Sequence, residues 1–137
     1  MTEEIFSGAS GARLAGGGQA ARRILLVDDH ADTLEITGLL LSNLSYEVHL
    51  AADVRSALEL AAANRFDLVV SDLGLPDGSG FDLMQELRDR YGLKGIALSG
   101  YGMAEDVRLS HLAGFVEHLV KPVTFQTLQA AIERALG

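Results

Sequence analysis

Two stretches of the chain are apolar without alternation, Ile24-Leu25-Leu26-Val27 and Leu68-Val69-Val70. A continuous, β-branched apolar run bounded by polar turn residues predicts a strand buried on both faces. Three more runs, Tyr46 to Ala51, Gly95 to Leu98 and Phe115 to Val120, predict further strands. Between the strands the apolar positions fall at helical spacing. Residues 31–44 predict a helix with Ile36, Leu40 and Leu44 on its buried stripe and with Asp32 and Glu35 in its first turns. Asp53 predicts the N-cap of a second helix running through Asn64, with Val54, Ala57, Leu58 and Ala61 inward. A third spans Ser79 to Tyr91, turns Phe81, Leu83, Met84 and Leu87 inward, and stops at Gly92. Met103 to Ala113 predicts a modest fourth helix stopped by Gly114. Thr124 caps a last one carrying Phe125, Leu128, Ile132 and Leu136.

Strands that alternate with helices through short loops favour right-handed crossovers and a parallel sheet covered on both faces. The expected fold is therefore α/β, flavodoxin-like and doubly wound, (βα)5, with strand order 2-1-3-4-5. That order sets the first and third strands side by side. Residues 1–21, rich in Gly, Ala and Ser, read as a flexible linker or tail, and residues 22–137 as the folded domain. Gly16-Gly17-Gly18 precedes the first strand instead of following it, so a dinucleotide-binding loop is excluded on context.

Composition narrows the function. The 137 residues carry a net charge of −8, which argues against nucleic acid or an anionic membrane as partner. With no cysteine there is neither a disulfide framework nor a thiolate metal site, and a reducing, cytoplasmic setting is expected. Glu3 and Glu4 stand where a signal peptide carries positive charge, and no apolar run reaches the ~18 residues of a membrane span.

The polar residues that close the strands carry the chemistry. Asp28 and Asp29 follow the first strand, Asp72 the third, Ser99 the fourth and Lys121 the fifth. In a parallel sheet these ends share one edge. Three carboxylates crowded there repel one another and call for a cation. An oxygen-only donor set favours a hard ion, Mg²⁺ above all. Lys121 and Ser99 add an ammonium group and a hydroxyl, so the set forms a clamp for a phosphoryl group with a carboxylate placed to attack phosphorus. Lys94, the one other lysine, precedes its strand and belongs at the opposite edge.

Four motifs, each closing a strand, carry a resemblance: Leu26-Val27-Asp28-Asp29; Ser71-Asp72-Leu73-Gly74-Leu75-Pro76-Asp77-Gly78-Ser79-Gly80; Ala97-Leu98-Ser99-Gly100-Tyr101; and Leu119-Val120-Lys121-Pro122. In order, they resemble the receiver domain of two-component response regulators and hybrid histidine kinases, from about Arg23 to Gly137. The resemblance implies that Asp72 accepts phosphate from a partner's phosphohistidine. It implies that Asp29, Asp72 and the Gly74 carbonyl hold Mg²⁺, with Asp28 acting mainly through water. It implies that Ser99 and Lys121 grip the phosphoryl group and that the Lys121-Pro122 bond is cis.

The family's switch position on the last strand, usually Tyr or Phe, is His118 here, so a weak or pH-dependent switch is expected. Tyr101 is placed to shade the phosphoryl group. In receivers the first helix docks against the helical bundle of a histidine kinase or histidine phosphotransfer domain. With Ile36, Leu40 and Leu44 inward, Leu34, Leu39 or Leu41 is left partly exposed for that role. Self-association into a homodimer stays open. The expected parent is a hybrid sensor histidine kinase ending in this receiver, with a stand-alone single-domain regulator as the alternative, and no independent substrate is turned over. Among rivals, a phosphoaspartyl hydrolase of the haloacid-dehalogenase type wants an acid two residues after its nucleophile, where this chain has Gly74. A non-phosphorylated binding module leaves five pocket groups without a purpose. A flavodoxin-like cofactor binder would set a phosphate against Asp28 and Asp29.

Overall fold

A computed structural model describes residues 21–100 and 104–137 of the chain. Strands β1 (Arg23–Val27), β2 (Glu47–Ala51), β3 (Leu68–Asp72), β4 (Gly95–Ser99) and β5 (Phe115–Val120) form one parallel sheet of order β2-β1-β3-β4-β5. Helices α1 (Ala31–Ser42), α2 (Val54–Ala63), α3 (Gly80–Tyr91), α4 (Ala104–Ala113) and α5 (Phe125–Leu136) alternate with the strands. The winding reverses between β1 and β3, which pair directly from Ile24 opposite Leu68 to Val27 opposite Ser71. This is the expected (βα)5 architecture. The tail up to residue 20, together with Tyr101 and the first residue assigned to the fourth helix, Met103, lies outside the described residues.

The central strands are apolar on both sides because each side buries its own core. Leu25, Val27, Val69, Ala97 and Phe115 pack with α2, α3 and Ala113 of α4. Ile24, Leu26, Leu68, Val70, Ile96 and Leu98 pack against α1 and α5. Alternate residues of one strand thus enter opposite cores, as the two-residue side-chain period requires.

The caps follow the sequence. Asp53 accepts from Ser56 N at 2.8 Å, Thr124 Oγ1 from Thr127 N at 3.1 Å, and Gly92 closes α3 in the left-handed conformation, φ 68°. Asp77 adds a contact that only the fold creates. Its carboxylate accepts from Val54 N at 2.7 Å and Arg55 N at 3.0 Å, tying the loop after β3 to the start of α2. That loop is a small hairpin, pairing Gly74–Leu75 with Gly78–Ser79 around Pro76 and Asp77.

One expectation is overturned. The buried face of α1 is Leu34, Gly38 and Leu41, whereas Ile36, Leu39, Leu40 and Leu44 are exposed. Ile36, at 59% exposure, faces outward where the sequence reading turned it inward. The cause is degeneracy. The stretch from 34 to 44, with five leucines and an isoleucine, offers two apolar stripes of similar strength. The stripe with a glycine at its middle looks the weaker in sequence. It packs the better, because Gly38 adds no side chain between helix and sheet.

Candidate functional site

The carboxyl ends of the strands meet at one edge, as parallel pairing demands. Asp28 N donates to Ala51 O at 3.0 Å, Leu73 N to Leu98 O at 3.1 Å and Lys121 N to Ser99 O at 2.7 Å, so the backbone locks every strand end to its neighbour. The Lys121-Pro122 peptide is cis, as expected. Gly80 lets α3 begin directly against the end of β3. A Cβ at residue 80 would intrude on Asp72 O and on Leu73 Cα, so nothing larger than glycine fits there.

Within this frame Lys121 Nζ lies 2.7 Å from Asp72 Oδ1 and 4.0 Å from Asp28 Oδ2. Asp28, Asp72 and Ser99 are buried, and Asp29 is exposed. The approach of Lys121 to Asp72 is an ion pair rather than an aligned hydrogen bond. Oδ1 is buried and takes no hydrogen bond among the described residues. Burial pushes the Asp72 carboxyl up to about 6 from its usual 3.8. Lys121 opposes that rise, and the neighbouring Asp28 reinforces it. Asp28, Asp29 and Asp72 against the Lys121 ammonium leave two negative charges in the cluster, and Asp106, which also lines the pocket, adds a third.

One oxygen each from Asp28, Asp29 and Asp72, with a ring nitrogen of His30, lie within 4.8 Å of one another. Small side-chain rotations bring such a set around one divalent ion, whose bonds to oxygen are roughly 2.1 Å for Mg²⁺. The donor chemistry and the surplus negative charge both fit a hard cation. Gly74, Ser99 and Lys121 line the same pocket.

Asp28, Asp29, Asp72, Gly74, Ser99 and Lys121 are therefore brought together, while Tyr101, expected to shade the pocket, lies outside the described residues. His118, on β5, is half-buried with Nδ1 2.9 Å from Ser110 Oγ, a fully buried hydroxyl of α4 that itself donates to Asp106 O. The hydroxyl's one proton being so used, His118 Nδ1 is the donor in the pair. The sequence reading missed three contributors to the pocket, His30, Phe81 and Asp106. Asp106 and Phe81 carry no local signal, since helix packing alone aims them. His30 did have one, its place directly after Asp28-Asp29.

The comparisons agree with this geometry. The family model described as "Response regulator receiver domain" matches residues 24–133. The response regulator protein PilR of Pseudomonas aeruginosa is 34% identical over 116 residues, which are 84% of this chain and 26% of PilR. The two-component response regulator ARR10 of Arabidopsis thaliana is 35% identical over 109 residues, 78% of this chain and 20% of that protein. The chain thus spans about a quarter or less of the length of the curated relatives it matches. Among solved structures, a CheY-like receiver domain protein from Methanospirillum hungatei JF-1 superposes with a TM-score of 0.80 at 33% identity, covering 85% of this chain and 94% of that one. The chemotaxis response regulator CheY4 of Vibrio cholerae gives 0.81 at 30% identity, covering 85% and 100%. With five parallel strands in the expected order and an acidic hollow at their ends, the chain belongs to the response regulator receiver domain family.

Proposed function

We propose that this receiver accepts a phosphoryl group on Asp72 from the phosphohistidine of a kinase or phosphotransfer partner. The carboxylate oxygen forms the new bond to phosphorus as the phosphorus–nitrogen bond breaks, and the imidazole leaves with the electron pair. The observation that carries the reading is the approach of Lys121 Nζ to Asp72 Oδ1 at 2.7 Å inside a hollow shared with Asp28 and Asp29. Lys121 is placed to follow the charge onto the phosphoryl oxygens. Ser99, buried at the end of β4, supplies a hydroxyl donor on the neighbouring strand. Asp28, Asp29, Asp72 and the Gly74 carbonyl are the residues we assign to hold Mg²⁺. When bound, that ion would neutralise phosphoryl oxygens as charge transfers. The chain acts on no independent substrate in this reading.

Phosphorylation adds roughly −1.5 to −2 charge at neutral pH. We place the response at the face formed by α4, β5 and α5, with His118 and its bond to Ser110 in the position of the switch. The partner's helical bundle docks on the exposed stripe of Ile36, Leu39, Leu40 and Leu44. Ile36, Leu39 and Leu40 lie on the helix that starts from the pocket at His30, and Leu44 follows just past its end.

Among the described residues no helix is long and apolar enough to cross a membrane. A hybrid kinase parent is supported only by the resemblance of the Gly-rich lead-in and of the Leu98-Ser99-Gly100-Tyr101-Gly102 and Leu119-Val120-Lys121-Pro122 motifs to such receivers. The names of the relatives, among them the transcriptional regulatory protein ZraR of Escherichia coli, favour a response regulator instead. The function is tested by mass spectrometry after incubation with acetyl phosphate and Mg²⁺. One added phosphoryl group is expected on the natural chain and none on Asp72→Asn, and equal labelling of both refutes the assignment.

A further inference from the structure

We propose that His30 is an additional metal ligand of the acidic pocket, and that its imidazole tilts the pocket toward borderline transition ions such as Ni²⁺ and Zn²⁺. The inference rests on the pocket being a divalent-cation site and adds the determinant of which ion it prefers.

Three observations support it. The first is placement. His30 Nδ1 lies 3.1 Å from Asp28 Oδ1 and 3.3 Å from Asp29 Oδ1, and it shares a ligand-sized cluster with Asp72. The second is that His30 occupies the N-cap of α1, where Ser, Thr, Asp or Asn would bond a free helix N–H, and its side chain makes no capping bond at all. The helix gives up a cap while the ring turns back to the carboxylates. A local rule broken at a pocket residue marks a residue kept for the pocket. The third is a group already in the hollow, the buried Asp72 carboxylate, whose Oδ1 takes no hydrogen bond among the described residues and is held only by the Lys121 ion pair at 2.7 Å. It comes from β3, so the donor set is drawn from two strand ends and not from the loop of His30 alone.

Within the ligand cluster Asp28, Asp29 and Asp72 with Lys121 leave two negative charges, which one divalent ion balances. A neutral imidazole therefore changes the softness of the donor set without changing its charge. Carboxylate and water alone suit Mg²⁺, whereas an added nitrogen raises affinity for Ni²⁺ and Zn²⁺ far more than for Mg²⁺. Without an ion Nδ1 donates to Asp28 Oδ1, since a carboxylate only accepts; ligation would exchange that bond for the metal, with the proton carried on Nε2 of a ring whose side chain is 69% exposed.

The test is calorimetric titration of the full chain with Mg²⁺, Ni²⁺ or Zn²⁺, comparing the natural protein with His30→Gln, His30→Ser and Asp29→Asn. In the two His30 variants the Ni²⁺ and Zn²⁺ affinities are expected to fall at least about tenfold. Mg²⁺ affinity in these variants should stay within about twofold. Ser restores a helix cap, so His30→Ser is expected to melt a few degrees higher without metal and still lose the Ni²⁺ affinity, which separates lost ligation from damage. In nitrogen-15 spectra Zn²⁺ is expected to shift His30 Nδ1. If Ni²⁺ and Zn²⁺ affinities fall no further than that for Mg²⁺, or if Zn²⁺ leaves the Nδ1 resonance in place, His30 is not a ligand although the pocket reading stands. If no ion binds, or if binding ignores Asp29→Asn, both readings fall together.

Discussion

Replacing Asp72 by Asn isolates the electrostatic cost built into the pocket. Burial, reinforced by Asp28, raises the Asp72 carboxyl from 3.8 to about 6 despite Lys121 at 2.7 Å. At 1.36 kcal/mol per pK unit, the ionised group costs the metal-free folded protein about 3 kcal/mol relative to the unfolded chain. Well below pH 3.8 the carboxyl is protonated in both states and nothing is lost. Between pH 4 and 6 the folded state binds more protons than the unfolded one, so stability falls as pH rises through the folded pKa. Asn cannot ionise. Asp72→Asn is therefore expected to be more stable than the natural chain by up to about 3 kcal/mol at pH 7.5 in chelator, with the gap closing toward pH 4. Urea unfolding at several pH values, with chelator present, reads this directly. Added Mg²⁺ should then stabilise the natural chain, by about 2.7 kcal/mol at a hundred times its dissociation constant, and the variant less. A variant less stable than the natural chain at pH 7.5, or a gap that ignores pH, would show that Asp72 is not held against its own ionisation.

Other outcomes follow from the packing. Gly80→Ala is expected to cost about 2 kcal/mol and to slow labelling by acetyl phosphate, because the new methyl meets backbone atoms of Asp72 and Leu73 that cannot yield. Unchanged unfolding and labelling would contradict that close approach. The pair Ile36→Glu and Leu40→Glu should leave labelling by acetyl phosphate intact and slow transfer from a partner phosphohistidine at least about tenfold, a loss of some 1.4 kcal/mol in docking. Equal slowing of both reactions would locate the fault in the pocket instead. Ser110→Ala removes the hydroxyl 2.9 Å from His118 Nδ1 and is expected to destabilise the chain by about 1 kcal/mol and to move the His118 ring resonances. If beryllofluoride leaves those resonances still in both proteins, His118 takes no part in the switch.

Much of this protein could be read before any coordinates. β1, β3 and β5, the caps Asp53, Thr124 and Gly92, and the residues that close the strands all rest on contacts a few residues long. A strand's burial on both faces shows in its own composition, and a cap in its own turn. Asp28, Asp29, Asp72, Ser99 and Lys121 could be gathered in advance because parallel pairing fixes which end of every strand shares an edge. The side of α1 that turns inward was not decided there, because two leucine stripes compete and only the sheet's shape, with Gly38 against it, chooses between them. The capping of α2 by Asp77, across 23 residues, and the ring of His30 turned from its helix to the carboxylates were equally hidden. The first depends on where another part of the chain comes to rest, about which local energetics carry no information; the second joins neighbours in sequence, yet its choice between capping and the carboxylates is made only once Asp28 and Asp29 are fixed at the sheet edge.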